Sequence, residues 1–293
     1  MPWWNLSLHC GRDLLEATEA LLLELGAQAI DIRDAGDEPL FEPLPGQQPL
    51  WSESVITGLF DHGTDLEALQ DRLARQLPAK QFASLQVREL ADQVWERAHL
   101  QHYHPLRFGK KLWIVPSWHR PPDPDACNIL LDPGVAFGTG SHPTTALCLE
   151  YLDAHPPQGQ AVIDYGCGSG ILAIAAHRLG ATSITAIDID PQALEATRQN
   201  AERNGIDSDR WRISLPDADL PPADWLIANI LSGPLVELEE RFHQLVRPGG
   251  RLLLSGILPQ QAEAVVSAYA PHFDLDAVTI DRDWCRISGR RKP

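Results

Sequence analysis

A strand, a glycine turn and a helix, written into Ala161–Gly180, restrict this chain more than any other stretch. The apolar run Ala161-Val162-Ile163 ends in an acid, Asp164, and three glycines alternate after it, at Gly166, Gly168 and Gly170. A helix of apolar residues is predicted from Ile171 to Leu179, closing on Gly180 where a C′ glycine belongs. This is the opening of a nucleotide-type βαβ unit. The glycines let the backbone pass close under a ligand, and the helix start offers free N–H groups. About twenty residues further on, the apolar run Ser183–Ile187 ends in Asp188, the position from which such folds bind ribose hydroxyls.

The spacing narrows the ligand. A dinucleotide fingerprint reads G-x-G-x-x-G, whereas this turn reads G-x-G-x-G, with Ile171 where the third glycine would fall. Asp164, just ahead of the turn, would repel a pyrophosphate and suits a ligand that carries an ammonium group. S-adenosyl-L-methionine has an amino-acid tail, a positive sulfonium and no phosphate, and is the cofactor expected here. Glycines serving packing alone, and a nicotinamide or flavin dinucleotide, are the competing readings.

The chain has 293 residues, enough for two domains. Its five cysteines (Cys10, Cys127, Cys148, Cys167, Cys285) are scattered and form no C-x-x-C pair, so they read as reduced thiols rather than a disulfide frame or zinc site. No stretch is apolar enough for a membrane span, and Met1–Cys10 lacks signal-peptide character. A cytoplasmic protein without membrane contact is expected. The net charge of −16 argues against direct nucleic-acid binding and suits a basic partner, although it also serves solubility.

Residues 1–90 read as β-α-β-β-α-β, a small ferredoxin-like α+β domain. The strands are expected at Trp3–Cys10, Ala29–Arg33, Glu53–Phe60 and Phe82–Leu90, and the helices at Asp13–Glu24 and Asp65–Leu77. Leu14, Ala17, Thr18, Leu21, Leu22 and Leu25 are predicted to share the inner face of the first helix. The proline-rich stretch Asp34–Pro49 reads as a loop. No catalytic constellation stands out in this domain, which suggests substrate recognition. Residues 91–104 read as a linker helix. Its His99, His102 and His104 have no acid or cysteine placed to complete a metal site, and no metal is expected.

Residues 105–293 continue with repeated βα units and a closing antiparallel pair, Leu275–Ile280 with Trp284–Ser288. That pattern predicts an α/β fold with a seven-stranded, doubly wound sheet. Two more stretches belong to its ligand edge. Asp132–Thr145 (DPGVAFGTGSHPTT) is a glycine loop leading into a helix, without the lysine of a P-loop. The strand Trp225–Ile230 carries Asn229 at its end, in the same crevice as Gly166 and Asp188. A single helix is expected from Leu235 to Leu245, then a Pro248-Gly249-Gly250 turn and a strand Arg251–Ser255.

Taken together, HPLRFGKKLWIVPSW at His104–Trp118, LDPGVAFGTGSHPTT at Leu131–Thr145 and NILSGPL at Asn229–Leu235 carry a likeness. With the βαβ core between them, the chain resembles the bacterial methyltransferases of protein eleven of the large ribosomal subunit. Ser232 departs from the small apolar residue usual there. The resemblance implies a class I methyltransferase domain and a substrate-recognition domain before it. It further implies methylation of lysine side chains and an α-amino group of that basic ribosomal protein by a monomeric enzyme. Carried over residue by residue, it implies adenosylmethionine contacts at Thr145, Gly166, Asp188 and Asn229. The Asn229 amide reads separately as a positioning group for either the acceptor amine or the methionine tail, against the plain reading of a strand-end asparagine capping the next helix. A small-molecule methyltransferase would share the core but leave the first domain without a task. A nicotinamide-dependent oxidoreductase is the reading from a different class.

Overall fold

Two sheets with different covering separate the chain into two units, Met1–His99 and Leu100–Pro293. The computed structural model describes residues 3–36, 51–90, 103–132, 142–206, 211–216 and 219–293. Most of the expected loop over Asp34–Pro49, most of the linker helix and most of the glycine loop lie outside these residues. At the end of that linker, Tyr103 and His104 are not helical.

In the first unit, β1 (Trp3–Gly11), β2 (Ala29–Asp34), β3 (Glu53–Asp61) and β4 (Gln86–Leu90) form one sheet in the order β2-β3-β1-β4. Every pairing is antiparallel. Alternation buries Leu6, Leu8 and Cys10 from β1 and Ile56 and Phe60 from β3 on one face. Helices α1 (Arg12–Glu24) and α2 (Leu66–Gln76) supply the matching core residues, Leu15, Leu22, Leu69 and Leu73. Asp65 caps α2 by accepting from the backbone N–H groups of Glu67 and Ala68. The inner face of α1 runs through Leu15, Thr18, Leu21 and Leu22; the last three are as expected, whereas Leu14 and Ala17 are exposed and Leu15 is buried in their place. A short helix, α3 (Ala79–Phe82), takes the start of the expected fourth strand. The other sheet face is polar: Asn5, Ser7, His9, Thr57, Gln86 and Arg88 help line a groove of about 310 Å³.

The second unit is an α/β fold around a mixed sheet. Its strands are β8 (Ala161–Tyr165), β9 (Ser183–Ile187), β10 (Trp211–Ser214), β11 (Ala223–Asn229), β12 (Val246–Ile257), β13 (Phe273–Leu275) and β15 (Trp284–Arg291). They run in the order β10-β9-β8-β11-β12-β15-β13. The pairings from β10 to β12 are parallel, and those of β15 are antiparallel. The expected Leu275–Ile280 strand is two pieces, because β14 (Thr279–Asp281) pairs separately with β15.

Central strands buried on both sides read as continuous apolar runs, and their alternate residues serve two cores. Val162, Ile184, Ile227 and Leu253 pack on one side with α4 (Pro143–Ala154) and α5 (Ile171–Arg178). Ile163, Leu226, Leu252 and Leu254 pack on the other with α8 (Glu239–Leu245) and α9 (Ala262–Tyr269). The expected single helix over Leu235–Leu245 is instead α7 (Ser232–Glu237) followed by α8, interrupted at Leu238. The Pro248–Gly250 turn is absorbed into β12, where the register against β11 shifts between Ala223 and Trp225. A small sheet of β5 (Leu106–Phe108), β6 (Leu112–Val115) and β7 (Cys127–Leu130) lies before α4. No helix of the described residues is long and apolar enough to cross a membrane.

Candidate ligand crevice at the sheet switch point

The chain enters the large sheet at its middle, β8, runs outward through β9 and β10, then returns to the other side of β8 as β11. Adjacent loops after β8 and β11 therefore leave in opposite directions, which opens a crevice at the carboxyl ends of these strands. Asp164, Gly166, Asp188 and Asn229 all lie on that edge.

The turn after β8 depends on glycine. Gly166, Gly168 and Gly170 have φ of 79°, 53° and 78°, the left-handed region that favours glycine. A Cβ on Gly166 would also stand 2.2 Å from Cγ2 of Ile230, so the residue after Asn229 closes directly over the turn. The turn is held from the next strand, since the backbone N–H groups of Gly166 and Cys167 both donate to the carbonyl of Ile187. From the far side α6 (Pro191–Arg203) supports it: Thr197 Oγ1 donates to the carbonyl of Gly168, and Asn200 Nδ2 donates to that of Ser169.

Asp188 is tied to the same turn. One carboxylate oxygen accepts from the backbone N–H of Gly168 at 2.9 Å and the other from that of Asp190 at 3.0 Å. Each oxygen keeps a further lone pair, and the side chain is only half-buried. Ile189 beside it is 81% exposed, an apolar side chain standing open at the strand end.

Asp164 sits beneath. It is fully buried, and Oδ2 accepts from the backbone N–H of Ala173 at 2.9 Å, while Oδ1 has no hydrogen-bond partner among the described residues. Burial pushes its carboxyl up to about 7; the Ala173 hydrogen bond opposes the rise and the neighbouring Asp188 charge adds to it. A buried acceptor with an unused oxygen next to an open glycine turn is a receptor for a cation or an N–H donor.

On the other side of the crevice, Asn229 Nδ2 donates to Thr145 Oγ1 at 3.3 Å. Thr145 is buried in the first turn of α4, behind Pro143 at the first helical position. His142 caps this helix through Nδ1, accepting from Thr144 N, and its ring meets Trp284 edge-on. Burial holds the His142 ring below the usual histidine range, with the Arg282 cation acting in the same direction.

The crevice thus brings Gly166 and Asp188 together through the turn, and Thr145 and Asn229 together through a side-chain bond. Sequence reasoning did not reach Thr197 and Asn200, whose signal was two polar residues on the inner face of a helix that otherwise buries alanines there. Asn204 also escaped notice: its side chain bonds both the N–H and the carbonyl of Leu130, which fixes β7 to α6.

Comparison with known proteins agrees over the full length. Residues 2–292 match the family described as ribosomal protein L11 methyltransferase (PrmA). A protein of that name from Pseudomonas paraeruginosa is 54% identical over 294 residues, covering 100% of this chain and 99% of the relative. One from Marinobacter nauticus is 50% identical over 296 residues, with the same coverage. Among solved structures, a ribosomal protein L11 methylase from Lactobacillus delbrueckii subsp. bulgaricus superposes with a TM-score of 0.58 at 34% identity, covering 66% of this chain and all of that one. Identity at this level, unbroken from the first strand to the last, makes the chain a member of the ribosomal protein L11 methyltransferase family.

Proposed function

We propose that this protein is an S-adenosyl-L-methionine-dependent protein N-methyltransferase that methylates lysine side chains and the α-amino group of ribosomal protein L11. The observation that carries this reading is the full-length family match.

The crevice residues fit the cofactor. Gly166, at a left-handed φ and packed under Ile230, keeps the turn's backbone bare beside the crevice, and Asp164 Oδ1 offers a buried, unpartnered oxygen to an ammonium. The spare lone pairs of Asp188 suit the two ribose hydroxyls. Ile189 offers apolar surface to a purine face. When bound, adenosylmethionine supplies an electrophilic methyl group on a sulfonium.

The protein's task is alignment, because methyl transfer is an in-line displacement that needs no covalent enzyme intermediate. A lysine amine, with an ordinary pKa of about 10.4, is almost wholly protonated at neutral pH and has no lone pair to give. Burial of that amine lowers its pKa by desolvation. With its amide nitrogen committed to Thr145, Asn229 presents Oδ1 as an acceptor, and an amine N–H bonded there has its lone pair aimed away.

In this reading the second unit is a class I methyltransferase domain, supported by the parallel order with β15 inserted antiparallel between β12 and β13. The first unit is a ferredoxin-like substrate-recognition domain, supported by its βαββαβ order, all-antiparallel sheet and open polar face. Incubation of purified protein with adenosylmethionine and L11, followed by mass spectrometry of digested L11, tests the proposal. Whole-methyl increments on lysines and at the N-terminus are expected; an unmodified L11 beside a methylated small molecule would reject it.

A further inference from the structure

At the amino-terminal end of β12, away from the crevice, two histidines and two glutamates meet. Glu240 and His243 stand three residues apart on α8, so they share one helical face. His272 comes from the turn before β13. One ligand atom from each of Glu240, His243 and His272 lies within 4.8 Å of the others.

Two further observations go beyond proximity. His272 Nδ1 is 2.8 Å from Oε1 of Glu239. Donation to that carboxylate leaves Nε2 bare as a ligand, the second-shell arrangement that orients metal-binding histidines. His243 Nδ1 is buried with no hydrogen-bond partner among the described residues. A role in fixing the turn explains the His272–Glu239 bond but not the buried, unpartnered nitrogen of His243. The Arg291 cation and the Glu239 and Glu240 carboxylates also face His243.

We propose that Glu240, His243 and His272 form a binding site for a zinc-class divalent cation, with Glu239 orienting His272. Two imidazoles and a carboxylate are a borderline N/O donor set that suits Zn2+. Bonds of about 2.0–2.1 Å would set tetrahedral ligands about 3.3 Å apart, so the cluster draws in on binding. The two rings now stack at 4.0 Å and 6°, and parallel rings do not point at one ion, so one ring turns as the site closes. Glu240 is exposed, and its Oε1, which accepts from Gln244 Nε2 at 3.0 Å, leaves Oε2 to follow. The Arg291 cation opposes binding and the Glu239 charge favours it. A bound ion would staple α8 to the turn before β13, far from methyl transfer, so its effect falls on stability.

The test uses the full chain, stripped with chelator and titrated with Zn2+ and, separately, Co2+. One ion per chain is expected, with visible d–d bands for Co2+ and a raised Tm with Zn2+. His243→Ala and His272→Ala should each weaken binding tenfold or more. Glu240→Gln, a conservative change at an exposed position, should weaken it severalfold while circular dichroism and adenosylmethionine affinity stay unchanged. His155→Ala, at a histidine outside the cluster, should bind as wild type. Absence of stoichiometric binding at micromolar Zn2+, or binding that survives both histidine substitutions and Glu240→Gln, would overturn the site.

Discussion

Asp188 and Asp164 are both acids at strand ends, yet their surroundings give them different work. Asp188 is half-exposed with spare lone pairs, so Asp188→Ala should leave the fold intact and weaken adenosylmethionine binding by about 2 kcal/mol, roughly thirtyfold, through lost charge-assisted hydrogen bonds. Calorimetry on the variant reads this directly, and unchanged affinity would remove Asp188 from the site. Asp164 makes a pH prediction. Its carboxyl stands at about 7 against an ordinary 3.8, so between these values the folded protein holds a proton that the unfolded chain has released. Stability therefore falls as pH rises through that window, and Asp164→Asn should remove the slope. An ammonium bound beside Asp164 favours its ionised form, so cofactor affinity should rise with pH up to about 7 and then level off. Calorimetry in buffers of different ionisation enthalpy should show proton release on binding below that pH, absent in Asp164→Asn. Asp188 was legible because strand, turn and spacing repeat a known geometry. The bond between Thr145 and Asn229 was not, because only the folded sheet brings together side chains 84 residues apart.

At the scale of elements, the reading succeeded where periodicity had one solution and failed where it had two. Leucines nearly encircle α1, and only contact with the sheet selects Leu15 over Leu14. Likewise Pro248-Gly249-Gly250 signals a turn, and the chain bulges there with Gly249 at φ 74°: the ladder against β11 passes from Val246 to Arg251, where pairing with β15 also begins. The apolar core of the second unit was easier, because strands buried on both faces need no choice of phase. The polar supports between elements were harder to read for a physical reason: Thr197 and Asn200 mark only a polar interruption of a helix's inner face, and Asn204, at the end of α6, gives no local sign of a partner 74 residues away. Asn204 shows how much such a support carries. Asn204→Ala would leave the N–H and carbonyl of Leu130 without their partner, costing about 2–3 kcal/mol. A lower urea midpoint with unchanged slope would report it. A wild-type midpoint would mean that water or a backbone shift replaces the asparagine.

At the scale of the molecule, the proposed division of labour and the charge can both be tested on the acceptor. A chain beginning at Gln93 keeps all the proposed cofactor contacts, so it should still bind adenosylmethionine while losing methylation of L11. Undiminished L11 methylation would reduce the first unit to an appendage. The charge makes the sharper prediction. This chain carries a net charge of −16, and the resemblance implies a basic acceptor. Attraction between them speeds encounter, and salt screens it over about 8–10 Å at ordinary ionic strength. Hence kcat/KM for L11 should fall as salt rises. Cofactor affinity should change much less, since its contacts are short and drawn from a partly enclosed crevice, where screening is weak. Two salt titrations on one preparation, methyl transfer in one and cofactor binding in the other, separate the cases. A flat transfer curve would assign the acidity to solubility alone and return weight to a small uncharged acceptor. Parallel falls in both curves would trace the effect to the enzyme's own stability rather than to encounter.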